Sequence, residues 1–204
     1  MKERSLLFST PVWRYKYIGD PNLLNKLTEC VYNCEKTTPS EKVSNQGGYQ
    51  SPLFEWCEFL PEGQQYLNAV LKDLLVGEKL TPRKGLSLDI EYWYNINRKG
   101  NSNSAHLHAY THLIMIWYLT DQDRSLLLYN PHSYSRHLMD SIIAKKNLPN
   151  DYGIGEQMLM SADKGDILIF PGDVLHGVDV HTKDTDRISI SFNLVFSSGD
   201  RSLL

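Results

Sequence analysis

Residues 163–195, DKGDILIFPGDVLHGVDVHTKDTDRISISFNLV, place two strand-like segments of different character on either side of a histidine. The first segment, ILIF at 167–170, is wholly apolar and follows a Gly-Asp turn, which is typical of a buried strand. The second segment alternates, so that one face is polar and the other is apolar. Its polar face carries Arg187, Ser189, Ser191 and Asn193, and its apolar face carries Ile188, Ile190, Phe192 and Leu194.

The polar face of this last strand has two interpretations. It can face solvent, which would account for the alternation without any functional role. It can also line the inside of a barrel, where Arg187 would need an anion because its guanidinium stays charged and a buried unpaired charge is costly. His176 lies just before this strand, where the chain re-enters the sheet.

The same periodicities extend outward along the chain. Residues 86–97 alternate like a half-buried strand, and further strands are predicted at 113–120 and 125–130. Two helices with apolar stripes are predicted, one capped by Asp20 and running to about Glu35, the other from near Pro61 to near Gly77. Residues 37–52 are predicted as a loop, and 132–156 as a polar excursion with a short helix around LMDSIIAKK.

This outline predicts a mainly β fold with flanking helices, a jelly roll or cupin-like barrel. At 204 residues the chain is expected to form one domain. Within it, residues 1–80 would provide helix-containing support and residues 85–196 the jelly-roll core.

Composition excludes little but favours a soluble protein. The formal net charge of −3 shows no basic stripe for nucleic acid, and no apolar run approaches the roughly 20 residues of a membrane helix. The N-terminal stretch is too short and too weakly apolar for a signal peptide, so we expect a cytoplasmic protein. Oligomeric state is not readable from the sequence.

The segment NSNSAHLHAYTHL at 101–113 holds a second group of histidines. On an extended strand, His106 and His108 project from the same face and can reach one metal ion. A polar loop that merely contains histidines is the alternative, because H-x-H is a weak motif. His176 and the Arg187-x-Ser189 pair strengthen the metal interpretation.

Together these residues resemble the Fe(II)- and 2-oxoglutarate-dependent oxygenases, whose pattern is H-x-D/E, a distant His, and an Arg, often followed by x-Ser, about ten residues later. Here His106 begins the pattern, His108 stands where the carboxylate normally does, and His176, Arg187 and Ser189 complete it. The blocks LLFSTPVW, SNQGGYQS, WYNINRKGNSNSAHLH, GDILIFPGDVLHGV and DRISISFNL also resemble a bacterial and phage subgroup of these oxygenases that carries H-x-H at this place.

The resemblance implies a double-stranded β-helix core and an oxidoreductase that uses Fe(II), 2-oxoglutarate and O2, hydroxylating an unidentified organic substrate with release of succinate and CO2. It implies that His106, His108 and His176 bind the metal. It further implies that Arg187 and Ser189 bind the far carboxylate of 2-oxoglutarate. Asn95 and Asn193 are additional candidates for cosubstrate binding, and Trp93 and Tyr118 either line the pocket or fill the barrel.

Several alternatives stay open at this point. An imidazole in place of the usual carboxylate binds Fe, Zn, Ni and Cu readily, so the sequence specifies the identity of the metal less narrowly than a site of two histidines and one carboxylate would. Only one of His106 and His108 need be a ligand, and Asp173 or Asp179 can supply a carboxylate instead. A cupin-type dioxygenase or isomerase that does not use 2-oxoglutarate, or a non-catalytic metal-binding barrel, fits the same histidines.

Overall fold

The computed structural model describes residues 9–80, 82–131 and 157–198. In these ranges the chain forms two β-sheets and two long helices. In chain order the strands are β1 Trp13–Tyr15, β2 Asn45–Gln46, β3 Tyr49–Gln50, β4 Phe54–Glu55, β5 Ser87–Asn97, β6 Ser102–His106, β7 Leu113–Tyr118, β8 Gln122–Tyr129, β9 Gln157–Ala162, β10 Ile167–Pro171, β11 His176–Val178 and β12 Arg187–Ser197. The helices are α1 Pro21–Thr37 and α2 Pro61–Gly77, with a short 3-10 helix at Trp56–Glu58.

The strands are shared between the sheets in the manner of a jelly roll. The seven-stranded sheet has the order β1-β10-β7-β12-β5-β3, with β4 also paired to β5, and the five-stranded sheet has the order β2-β6-β11-β8-β9. From β5 to β12 the chain crosses between the sheets at every step except the β8–β9 hairpin. The prediction of a mainly β jelly roll with flanking helices is confirmed.

Both helices follow their sequence signals. The Asp20 side chain accepts a hydrogen bond from the Asn22 backbone N–H at 2.9 Å, and Pro21 occupies the first turn of α1. α2 begins at Pro61 and ends at Gly77, as predicted. No helix in the described ranges is long and apolar enough to cross a bilayer.

The larger sheet separates two apolar cores. Its outer face packs on the helices, with residues such as Ile190 and Phe192 buried together with Leu27 of α1 and Leu67 of α2. Its inner face meets the smaller sheet in a second core built from Ile114, Ile116, Tyr118, Leu126, Leu128, Ala162, Leu168, Phe170 and Val174. The second core fills only one part of the interior, which leaves the remainder for polar side chains.

Four strands were not predicted. β2 and β3 lie in the segment expected to be a loop, β4 lies just beyond that segment, and β9 follows the expected polar excursion. Two-residue strands such as β2 and β3 are too short to show a period of two, so sequence periodicity cannot reveal them. The short helix predicted around LMDSIIAKK lies outside the described residues.

Candidate functional site

The first two histidines meet through the pairing of β6 with β11. His176 is the direct cross-strand partner of His106 in the smaller sheet, so both side chains lie on the same face. Their ring centroids are 4.4 Å apart. Gly177 follows His176 at the closest approach of the two strands, where a Cβ would come within 3.0 Å of the Asn103 carbonyl oxygen. The absence of a side chain there lets β11 lie close against β6.

His108 reaches the same place from beyond the end of β6. Its backbone N–H donates to the Gly172 carbonyl, and the Gly172 N–H donates to the His112 carbonyl, so the loop after β10 holds the turn after β6. A Cβ at Gly172 would lie 2.2 Å from the Thr111 carbonyl oxygen, so only glycine fits this approach. The His108 ring stacks against Trp93 on β5, with centroids 5.6 Å apart.

The three rings are fixed in one tautomer by their Nδ1 partners. Nδ1 of His106 bonds to the Ser104 carbonyl at 2.8 Å, and Nδ1 of His176 bonds to the Val174 carbonyl at 2.8 Å. Nδ1 of His108 bonds to Oδ1 of Asn193 at 2.9 Å. Since these acceptors carry no proton, each Nδ1–H is the donor, and each Nε2 keeps a free lone pair.

The free nitrogens converge. The three histidines offer ligand atoms that all lie within 4.8 Å of one another, close enough to share a metal ion. Burial lowers the pKa of His108 to about 4 and that of His176 to about 3, and it also lowers the pKa of His106. The imidazoles are therefore neutral near pH 7, the form that binds a metal.

No carboxylate belongs to this group in the described part of the chain. Asp173 and Asp179, considered above as possible ligands, are both exposed. His112 also lies outside the group, because its ring packs on Phe196 and its Nδ1 accepts the Phe196 backbone N–H at 3.2 Å. The donor set is three neutral imidazoles, which fits a divalent transition metal and leaves further coordination positions for other ligands.

Arg187 lies at the start of β12 with only 8% of its surface exposed. Its Nη1 donates to the Asp179 backbone carbonyl at 2.9 Å, but no carboxylate in residues 9–80, 82–131 and 157–198 forms an ion pair with it. Burial lowers the pKa of the guanidinium, while nearby Tyr118 and the charge of Asp179 oppose this shift. The group stays charged, and within the described residues this buried cation has no carboxylate in ion-pair contact.

The polar face of β12 turns inward, which decides between the two interpretations of the sequence. Ser189 is the direct neighbour of Asn95 on β5 and of Tyr118 on β7, and Asn95 is the direct neighbour of Gln50 on β3. A row of polar side chains therefore crosses four strands on the inner face. Asn95 donates from Nδ2 to Oγ of Ser191 at 3.1 Å.

A cavity of about 150 Å³ joins these groups. It opens beside the three histidines and is bounded by the inner face of the larger sheet. Among the described residues that line it, Arg187 alone carries a formal charge. Its lining residues are Val43, Ser44, Gln50, Trp93, Asn95, Asn97, Asn103, His106, Leu107, His108, Ile114, Ile116, Tyr118, Leu126, His176, Val178, Arg187, Ser189 and Ser191. Asn193 is not among them but holds His108 from behind.

Sequence reasoning did not find Gln50, and it named Asn193 as a cosubstrate candidate without finding its contact with His108. Gln50 lies in a segment that was predicted to be a loop, and only its pairing with Asn95 brings it to the cavity. The contact between Asn193 and His108 joins residues 85 positions apart, so no local pattern reveals it.

Comparison with known proteins agrees with this geometry. A family model described as "Putative 2OG-Fe(II) oxygenase" matches residues 91–193, which include every histidine of the group and Arg187. No curated protein matches the chain.

Solved structures share the fold at low identity. A prolyl-4-hydroxylase from Pseudomonas putida aligns with a TM-score of 0.61 at 14% identity, over 92% of this chain and 93% of that one. HygX from Streptomyces hygroscopicus, solved with nickel and 2-oxoglutarate bound, has a TM-score of 0.57 at 15% identity, over 91% and 83%. The epimerase SnoN from nogalamycin biosynthesis, described as non-heme and alpha ketoglutarate dependent, has a TM-score of 0.61 at 14% identity, over 95% and 84%.

Proposed function

Because the chain belongs to the 2OG-Fe(II) oxygenase family, we propose that it is an oxidoreductase whose Fe(II) is held by Nε2 of His106, His108 and His176. A single observation carries this assignment. Three neutral imidazoles, each with its Nδ1 already bonded, present ligand nitrogens within 4.8 Å of one another, in a cavity that also contains a buried guanidinium with no ion-pair partner in the described part of the chain. We also propose that the whole chain is one oxygenase domain and acts in the cytoplasm.

Arg187 is the proposed site for the far carboxylate of 2-oxoglutarate. Its planar guanidinium can form two parallel hydrogen bonds to a carboxylate, and a bound dianion would supply the ion-pair partner that the described residues do not. The hydroxyls of Ser189 and Tyr118 line the cavity beside it and would donate to the same group. Asn95 and Asn193 stay candidates for cosubstrate contacts, and Asn193 in addition orients His108.

When bound, Fe(II) with 2-oxoglutarate and O2 supplies an oxidative decarboxylation that yields succinate and CO2 and hydroxylates the organic substrate. The residues of this chain position and protect that chemistry. The hydrogen bonds to the three Nδ1 atoms fix the direction of each Nε2 lone pair. Trp93 covers one face of His108, and the apolar side chains of Ile116 and Leu126 exclude water from the adjoining wall.

Replacing the usual carboxylate ligand by His108 leaves the metal site one unit more positive. Imidazole also binds zinc, nickel and copper readily, so this donor set selects Fe(II) less strongly than one with a carboxylate. The presence of Arg187 and Ser189 beside the histidines nevertheless favours 2-oxoglutarate over a cupin-type reaction, which has no use for a buried guanidinium.

The test is binding of 2-oxoglutarate to the anaerobic Fe(II) protein, followed by the weak visible charge-transfer band of the complex. We expect Arg187→Ala to raise the dissociation constant about 30-fold or more, because truncating one partner of a buried charge pair costs about 2 kcal/mol or more. Arg98→Ala is the matched control, since the Arg98 guanidinium is half-exposed and bonds Glu35 on the surface. No band in the wild-type protein, or an unchanged constant in Arg187→Ala, would contradict the assignment.

A further inference from the structure

Gln50 is a buried side chain that the proposed metal and cosubstrate sites do not use. It belongs to β3, it is 8% exposed, and it lines the cavity. The backbone N–H and carbonyl of Gln50 are bonded to Ser40 and Glu41. Its side-chain amide has no hydrogen-bond partner among residues 9–80, 82–131 and 157–198.

The other side-chain amides that line the cavity form hydrogen bonds. Nδ2 of Asn97 donates to Oδ1 of Asn103 at 2.9 Å, and Nδ2 of Asn103 donates to Oγ of Ser44 at 3.2 Å. Asn95 donates to Ser191. These groups bond one another, whereas Gln50, which lines the same cavity opposite Asn95, has no such contact for its amide acceptor or its two donors within the described residues. A buried polar group without a partner is costly in free energy, and a native protein usually carries one for a reason.

The position of Gln50 separates it from the proposed 2-oxoglutarate contacts. Gln50 and Ser189 stand two strands apart in the same row, with Asn95 between them. Adjacent strands are about 4.8 Å apart, so roughly 10 Å separates the two backbones. Gln50 thus lies at the opposite end of the row from Tyr118, which adjoins Ser189 on its other side.

The charges of the lining determine what Gln50 can bind. Within the part of the chain that the structure describes, Arg187 is the only formally charged lining residue, and no lining carboxylate or ammonium is present to pair with a charged ligand at Gln50. A side-chain amide presents an acceptor beside a donor. A carboxamide satisfies both with two parallel hydrogen bonds, whereas a carboxylate only accepts and an ammonium only donates.

We infer that Gln50 binds an uncharged carboxamide group of the primary substrate, an inference that rests on the oxygenase function proposed above. The carboxamide can belong to a small molecule with a primary amide or to a peptide-type secondary amide. Acetamide represents the first source and N-methylacetamide the second, so the two probes distinguish them.

The experiment uses Zn(II)-loaded protein, which is diamagnetic and catalytically inert, and follows the 15N side-chain amides by NMR. The Gln50 resonance pair is assigned by its loss in Gln50→Leu. Acetamide, N-methylacetamide, acetate and methylammonium are each titrated with and without 2-oxoglutarate. Gln65→Leu, an exposed glutamine on α2, is the matched control, and Gln50→Met replaces Gln50→Leu if the backbone spectrum shows that leucine disturbs the fold.

We expect one of the two amides to shift the Gln50 pair and to give a saturation-transfer signal that falls at least fivefold in Gln50→Leu and persists in Gln65→Leu. Acetate and methylammonium should give no signal that depends on Gln50. Equal amide signals in wild type and Gln50→Leu, or no amide signal in wild type, would overturn the inference. Failure of 2-oxoglutarate itself to shift any resonance would instead overturn the proposed function, while the arm without 2-oxoglutarate still decides the role of Gln50.

Discussion

The two faces of β12 differ sharply in chemistry. On the outer face Ile188, Ile190, Phe192 and Leu194 are each no more than 1% exposed and pack toward the helices. On the inner face Arg187, Ser189 and Ser191 line a cavity, and Asn193 bonds His108. Both faces are largely buried, so the difference between them is chemical and not a matter of access to water.

This contrast shows how one strand serves two purposes. The outer face removes apolar area from water, at about 25 cal/mol for each Å² buried, and so stabilises the sheet. The inner face buries a guanidinium, hydroxyls and amides, which oppose folding unless each finds a partner. We therefore expect substitutions on the outer face to change stability, and substitutions on the inner face to change ligand binding with little loss of stability or even a gain.

The largest expected effect is on the outer face. Phe192 is fully buried, and its ring meets Phe59 edge-on at 5.4 Å. Phe192→Ala should lower the free energy of unfolding by about 3–5 kcal/mol, since it removes a buried aromatic ring and leaves a cavity. Urea unfolding of the metal-free protein measures this. Ser191→Ala, one position away on the inner face, is the control and should cost about 1 kcal/mol, the net contribution of the hydrogen bond that Ser191 accepts from Asn95. Equal losses in the two variants would contradict the division between the faces.

The second largest expected effect is a loss of metal affinity. His176→Ala removes one of three converging nitrogens, and we expect metal affinity to fall by more than the roughly 10–100-fold typical of losing a supporting partner. Competition with a chromophoric chelator measures the change for Fe(II) or Zn(II). His112→Ala is the matched histidine control, because His112 packs on Phe196 away from the group. If both variants retain the same metal content, His176 is not a ligand.

Much of this architecture could be predicted from the sequence, for identifiable reasons. α1 ends only two residues beyond the predicted Glu35. The prediction succeeds because the cap at Asp20 and the stripe of Leu24, Leu27 and Val31 are local signals. β12 matches its predicted alternation, but a period of two shows only that Ser189 and Ile190 face opposite ways. Which face of β12 meets solvent depends on whether the smaller sheet packs over it, and such tertiary packing cannot be read from local periodicity.

The residues of the site could be predicted where they form a local motif, but not where they come together only through strand pairing. His106 and His108 stand out because they are close in sequence, and His176 and Arg187 because they share one segment. The convergence itself depends on the β6–β11 pairing and on the approach of Gly172 to the turn after His108, which no periodicity encodes.

A smaller loss of metal affinity is expected at Asn193, and it tests how the inner face supports the proposed ligand His108. Asn193 accepts the Nδ1 proton of His108 at 2.9 Å, so Asn193→Ala should lower metal affinity about 10–100-fold by freeing the ring and its tautomer. Asn193→Asp keeps an acceptor at this place and adds negative charge, so it should bind metal as tightly as the wild type or more tightly. The same chelator competition measures both. Equal weakening by the two substitutions would mean that Asn193 acts through packing and not through its hydrogen bond.

The smallest expected effect concerns the Tyr118 hydroxyl, which should influence the stability of the protein and its binding of 2-oxoglutarate in different directions. The Tyr118 side chain is buried in the inner core and lines the cavity, and its hydroxyl has no hydrogen-bond partner in the described part of the chain. Burial raises the pKa of this phenol well above its ordinary value, and the positive charge of Arg187 offsets part of the rise. The hydroxyl therefore stays protonated and can donate to a bound carboxylate.

Tyr118→Phe should act in opposite directions on the two quantities. Removing an unpaired buried hydroxyl should raise the stability of the metal-free protein by about 1 kcal/mol, while loss of one hydrogen bond to the carboxylate should raise the dissociation constant of 2-oxoglutarate about 3–10-fold. Urea unfolding without ligand and titration of the anaerobic Fe(II) protein measure the two effects. Tyr15→Phe is the control, since the Tyr15 hydroxyl bonds Asp73 outside the cavity and its loss should leave 2-oxoglutarate binding unchanged. A Tyr118→Phe protein that is less stable and binds 2-oxoglutarate normally would assign this hydroxyl to the scaffold, and the inner face would then resemble the outer one at this position.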